Sequence, residues 1–259
     1  MSARSTKAGK ARATRTSPVR KRLMAAAERL FADRCWEAVS VRSIVAAAGV
    51  NLAALNYHFG SKQQLLREIF VTRAKPIVQE RMRHIEEIRK RGGTPCLEDI
   101  LEAFLRPALG IDAQRSGGRF VKLRARLGAA PDAISRKILS DTFDESSRAF
   151  LTEIKRALPE IPAADLEWRF HFLFGTMFYT MANVGRIESL TGGRCDTSDV
   201  ELALQHLIPF LAAGFRSAPI AITRQQERPR QGRRKQARRH RTGPSGRGTL
   251  VGRTEDAHP

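Results

Sequence analysis

Asn56, Tyr57, His58 and Lys62 cluster near the end of the run SVRSIVAAAGVNLAALNYHFGSK, Ser40 to Lys62. Their chemistry suits hydrogen bonding to a nucleic acid. An asparagine amide donates and accepts at once and so matches the edge of adenine, while Leu52 and Ala53 suit the methyl group of thymine. Tyr57, His58 and Lys62 carry donors fitted to phosphate oxygens. The same run encodes the elements that must position them. Ser40 and Asn51 are good helix N-caps, and Gly49 in Ala48-Gly49-Val50 marks a stop and a reversal. Ile44, Val45, Leu55 and Phe59 form an inward apolar face. Leu52, Ala53, Ala54, Asn56, Tyr57 and His58 are left for another surface. Two short helices at a steep angle, the second with a polar and aromatic outer side, follow the helix-turn-helix plan for a major groove.

The flanking sequence is helical throughout. Ser17-Pro18 starts a helix of about four turns whose Leu23, Ala26, Ala27, Leu30 and Phe31 recur at helical spacing. Leu65, Leu66, Ile69 and Phe70 open a long helix that Pro76 is expected to bend on its way to Arg91. Gly92-Gly93-Thr94-Pro95 reads as the break between modules. Helical periodicity returns over Leu97–Leu109, Phe120–Leu127, Ala133–Leu158, Ala164–Leu190 and Val200–Phe215, with no convincing strand. The expected fold is all-α, with a three-helix head over residues 17–73 and a larger helical domain over 74–218. Residues 1–16 and 219–259 are expected to be disordered basic tails.

The net charge of +20 is distributed unevenly. Residues 1–22 hold eight Lys/Arg and no acid, and residues 224–259 hold eleven Lys/Arg against three acids. Such tails favour phosphate backbones, and an anionic membrane surface is the other partner that their charge admits. No apolar run reaches the roughly 20 residues that cross a bilayer, and no apolar segment follows the basic N-terminus, so stable membrane insertion is not expected and the cytoplasm is. Cys35, Cys96 and Cys195 are scattered and odd in number, as half-buried thiols of a reducing compartment would be. No metal-ligand spacing, cofactor motif or nucleophile–base pair is visible, so the chain does not read as an enzyme. His171 lies on an apolar helix and reads as a core histidine.

The run RLMAAAERLFADRCWEAVSVRSIVAAAGV followed by LNYHFGSKQQLL resembles the DNA-binding domain of the TetR family of bacterial transcriptional regulators. The form NLAALNYHFGSK is most similar to the fatty-acid-responsive PsrA branch. The segments RFVKLRARLGAAPD and WRFHFLFGTMFYTMANVGRIESLTGGRCD resemble that branch's C-terminal domain. The resemblance implies that Arg42, second in its helix, reaches bases or phosphates beside Ser40, and that residues 74–218 serve regulation and dimerisation. It implies a homodimer through the last two helices, here with Val200, Leu204, Leu207, Leu211 and Phe215. It also implies a small apolar effector, a fatty acid or acyl-CoA, in a pocket for which Phe104, Phe120, Leu123, Phe143, Phe174, Met177 and Phe178 are the candidates. Arg119, Lys122 or Arg124 would meet the effector's anionic end at the mouth. Two departures stand out. Cys35 replaces a frequent glycine, where a left-handed residue would cost about 1 kcal/mol. Asn56 replaces the frequent first aromatic of the exit motif.

The expected function is therefore that of a repressor released from a palindromic operator in double-stranded DNA by a small apolar effector. A sequence-nonspecific basic nucleic-acid-binding protein is the alternative.

Overall fold

The computed structural model describes residues 17–115, 118–182 and 185–219, the side chains of 111–115 excepted. Apart from Pro219, the two basic tails lie outside the described residues. Among those described there are ten α-helices, one 3-10 turn and no strand. The head comprises α1 (Pro18–Asp33), the 3-10 turn (Trp36–Ala38), α2 (Val41–Ala48) and α3 (Leu52–Phe59). The long α4 (Lys62–Arg91) leads into a body of α5 (Leu97–Arg115), α6 (Arg119–Ala129), α7 (Ala133–Ala157), α8 (Ala163–Ala182), α9 (Arg186–Thr191) and α10 (Val200–Arg216).

Two apolar cores hold these helices. The first is built by Leu23, Phe31, Ile44, Leu55, Phe59 and Phe70 of the head and α4, and it also takes in Phe120, Leu123 and Phe143 from α6 and α7. Phe70 meets Phe120 and Phe143 edge-on, with ring centroids 5.2 and 5.8 Å apart. The second core joins α5, α7, α8 and α10 through Phe104, Phe150, Phe170, Met177, Leu204 and Phe215. The expected boundary between residues 73 and 74 falls within α4, which supplies side chains to both cores.

Polar contacts reinforce the junction. Arg126 of α6 donates to the carbonyls of Ala32 and Asp33, at 2.9 and 3.2 Å, and so caps the end of α1. Arg67 of α4 pairs with Asp141 of α7 at 2.7 Å, and Arg20 of α1 pairs with Glu68 of α4.

Several expectations change on sight of the structure. The helix expected over Ala164–Leu190 is two helices, α8 and α9, because Gly185 at φ 67° is left-handed and starts a new one. α5 runs past Leu109 to Arg115, since Gly110 keeps the helical path. α4 runs on across Pro76 to Arg91, as its pattern led one to expect. The carbonyl of Thr72 loses its helical donor there, but Thr72 and Pro76 are both exposed and water can replace the bond. The strain considered at Cys35 does not arise, for Cys35 has φ −55° and the preceding Arg34 has φ −134°. All three cysteines are exposed rather than half-buried, and His171 is exposed rather than in the core.

The shared aromatic packing makes the head and body one cooperative unit. Phe70→Ala should cost about 3–5 kcal/mol in urea denaturation, the range for removing a fully buried phenylalanine. It should do so within a single transition, and separate melting of head and body would contradict the shared core.

Candidate nucleic-acid interface

Short polar residues define both reading helices. The Ser40 hydroxyl accepts from Ser43 N at 3.0 Å and the Asn51 Oδ1 accepts from Ala54 N at 2.9 Å, so each helix begins on a satisfied N-cap. Gly49, at φ 61° and ψ 43°, ends α2 in the left-handed conformation that glycine adopts without strain. Ile44 and Ala48 of α2 and Leu55 and Phe59 of α3 are buried, which fixes the angle of both helices against the first core. Arg42, Leu52, Ala53, Asn56 and Tyr57 are exposed, Tyr57 at 68 %. Ala54 and His58 are half-buried, and the His58 ring meets Tyr57 and Phe59 edge-on at centroid distances of 5.1 and 6.3 Å.

Lys62 is placed otherwise than expected. Its Nζ donates to the carbonyls of Trp36, Glu37 and Val39 at 3.0, 3.1 and 2.8 Å and lies 5.1 Å from the Trp36 ring. All three of its donors are used, so it ties the start of α4 to the 3-10 turn instead of reaching outward. Burial pulls its pKa below the ordinary lysine value, against a smaller opposite effect of Glu37. The Ser40 hydroxyl is engaged locally, accepting the cap bond and donating to Ser43 Oγ at 3.2 Å. Arg22 of α1 is exposed beside the turn between the two helices. Its Nη1 lies 3.9 Å from where a Cβ on Gly49 would stand, and no local motif links residues so far apart in the chain.

The comparisons with known proteins agree with this architecture. Residues 23–69 match the family described as bacterial regulatory proteins, tetR family, and residues 102–214 match the family described as tetracyclin repressor-like, C-terminal domain. Together these matches span more than half of the chain. The chain belongs to the TetR family of transcriptional regulators. Among solved structures it is similar to the transcriptional regulator FadR from Bacillus subtilis in complex with stearoyl-CoA, with 12% identity over 75% of this chain and 98% of that one and a TM-score of 0.53. It is also similar to the TetR family regulator PfmR from Thermus thermophilus, with 17% identity over 78% and 98% of the two chains and a TM-score of 0.53. A comparison with curated protein sequences gives no match.

As a TetR-family regulator the chain carries a helix-turn-helix DNA-binding domain, and its family and fold are those of DNA-binding regulators rather than enzymes. Among the described residues no helix is long and apolar enough to cross a membrane.

The body sorts the remaining candidates. The expected pocket residues divide between the two cores, with Phe120, Leu123 and Phe143 in the first and Phe104, Met177, Phe174 and Phe178 in or against the second. Arg119 and Lys122 are exposed, whereas Arg124 is fully buried and not at a mouth. Leu204, Leu207, Leu211 and Phe215 point into the chain's own second core, and Val200 packs against it. Their spacing marks the inner face of α10. The outer faces carry Trp168, Phe172 and Tyr179 on α8 and Leu202, His206 and Phe210 on α10, with Trp168 and Phe210 exposed by 63 % and 68 %. A groove of about 760 Å³ opens on this side between Tyr179, Leu190, Leu202 and Phe210.

The Lys62 geometry separates two roles by experiment. Lys62→Met should destabilise the fold by about 1–3 kcal/mol, because three carbonyls lose their donor. The salt dependence of DNA binding should stay as it was. A salt slope reduced by about one unit would instead identify Lys62 as a phosphate contact.

Proposed function

We propose that the protein is a homodimeric repressor that reads a palindromic operator and releases it on binding a small apolar effector. The observation that carries this reading is the exposed set Arg42, Leu52, Ala53, Asn56 and Tyr57 on two capped helices whose other faces are locked in the core. Arg42 and Asn56 are the base-reading groups, with a guanidinium for guanine and an amide for adenine. Leu52 and Ala53 meet thymine methyls, Ala54 lies against them, and Tyr57 and His58 approach the backbone. Arg22 joins them at the edge as a phosphate contact. The basic tails at 1–16 and 219–259 add sequence-independent attraction.

The outer apolar faces of α8 and α10 take a second copy of the chain. Exposed tryptophan, phenylalanine and tyrosine on adjacent helices, with open space at Gly175, form an apolar surface of the kind that marks an interaction site. A twofold pairing of these faces presents two reading heads to two half-sites one turn of DNA apart. An effector that changes the angle between the heads breaks that double contact. It must favour one arrangement over the other by several kcal/mol to act as a switch. The PsrA-like sequence and the stearoyl-CoA bound by FadR support a fatty acid or acyl-CoA as the effector.

Selection from random duplex DNA at near-physiological salt tests the reading. It should enrich an inverted repeat, and Arg42→Ala should lose about 1–3 kcal/mol of affinity and relax one position of each half-site. Binding with no enriched site would favour the sequence-nonspecific alternative. Phe210→Glu should give a monomer by analytical ultracentrifugation and weaken operator binding with it. A Phe210→Glu protein that remains a dimer would remove this face from the interface.

A further inference from the structure

Two arginines are buried where the two apolar cores meet. Arg81 on α4 is 0 % exposed and Arg124 on α6 is 2 % exposed. The Arg81 guanidinium lies 3.7 Å from the Phe104 ring centroid and 5.6 Å from that of Phe143, and Arg124 lies 4.4 Å from the latter. Arg81 Nε and Nη2 donate to the Phe104 carbonyl at 3.0 and 2.9 Å. Otherwise the Nη2 atoms of Arg81 and Arg124 share only the Met177 sulfur, at 3.9 and 3.8 Å, and a thioether is a weak acceptor. Arg81 Nη1 and Arg124 Nε and Nη1 are buried without a hydrogen-bond partner.

No carboxylate pairs with either arginine among the described residues. The other buried charges among the described residues are paired, Glu153 with Arg89 and Arg156, Glu28 with Arg73, and Asp165 with Arg169. Burial lowers the pKa of both guanidiniums, and the charge of Arg124 lowers that of Arg81 further. Arg124 falls to about 9, which leaves it protonated at neutral pH. Two like charges in an apolar interior, with donors unused, are among the costliest arrangements a fold can hold without a counter-ion.

The geometry points to a bound anion: Arg81 and Arg124 together hold the carboxylate of an amphiphilic organic acid whose apolar chain lies along Phe174 and Phe178. A carboxylate is planar, accepts from guanidinium forks and carries one charge, so it is easier to desolvate than a phosphate dianion. Met177 is unbranched and flexible and yields its place between the two arginines. Phe174 and Phe178 are half-buried and stacked, with centroids 6.2 Å apart, and Phe174 lies 6.0 Å from Phe104. Gly128, one turn beyond Arg124, lets the Phe178 ring approach α6 so closely that a Cβ there would stand 2.7 Å from it.

The regulatory meaning of the site rests on the proposed effector response, and the binding itself does not. Arg124 shares α6 with Arg126, which grips the end of α1, and Arg81 shares α4 with Lys62, which grips the 3-10 turn. A ligand drawing Arg81 and Arg124 together acts on the head at both points.

Thermal melts of the full chain with dodecanoate and with dodecanol test the site. Dodecanoate should raise the melting temperature by about 5–10 °C at roughly a hundredfold excess over its dissociation constant, and dodecanol should not. Arg124→Met should melt no lower than the wild type without ligand and lose the dodecanoate shift. If Arg124→Met does not fold, Arg124→Lys should keep the preference for the acid while binding it about tenfold more weakly. Equal shifts from acid and alcohol, no shift from the acid, or an undiminished shift in either variant would overturn the site. Operator binding, read separately, distinguishes the two proposals. Carboxylate binding without operator release leaves the anion site standing and removes the effector reading. Release by neutral ligands alone does the reverse.

Discussion

Phe70 packs edge-on against Phe120 and Phe143, and that contact ties the reading head to the body. The head is too small to close its own core. Phe120, Leu123 and Phe143 from α6 and α7, which pack on α1 and α4, complete it. Burying these three side chains in the head's core contributes several kcal/mol of apolar transfer. Arg126 adds a polar grip on the end of α1. The orientation of the reading helices is therefore set by the body, and whatever moves α4 or α6 moves the surface that carries Arg42 and Asn56.

Two surfaces are left exposed by this packing, and their characters differ. The α2–α3 side offers an arginine, an asparagine, a tyrosine and small apolar groups, as a base-reading surface requires. The α8–α10 side offers large aromatics with little charge, as a surface that meets its own copy requires. In the proposed dimer, one chain with these two sides links pairing of two copies to the separation of their heads. The buried arginines lie between the core that orients the head and the core that backs the pairing face.

Much of this was legible in the residues. The caps Ser40 and Asn51, the left-handed Gly49 and the inward set Ile44, Leu55 and Phe59 are local signals, and the structure places them as their chemistry dictates. What escaped was non-local. Helical spacing identified Leu204, Leu207, Leu211 and Phe215 as an apolar stripe, but spacing cannot tell a stripe that faces the chain's own core from one that faces a partner. Lys62 lies within a DNA-reading motif, and only the fold shows the carbonyls of Trp36, Glu37 and Val39 converging on it. Arg81 had left a trace, for Ile77, Arg81, Ile85 and Ile88 fall on one buried stripe of α4. A charge on an apolar stripe was the signal to follow.

In the proposed dimer the body holds the head in a set orientation. It can be tested directly through a native residue, because Cys35 is exposed in the head. With Cys96 and Cys195 replaced by serine, a spin label on Cys35 reports the distance between the two heads by pulsed electron resonance. Heads held by their bodies should give one narrow distance distribution in the free dimer. A broad distribution, as for heads on slack tethers, or the absence of any dipolar coupling between labels, would contradict it.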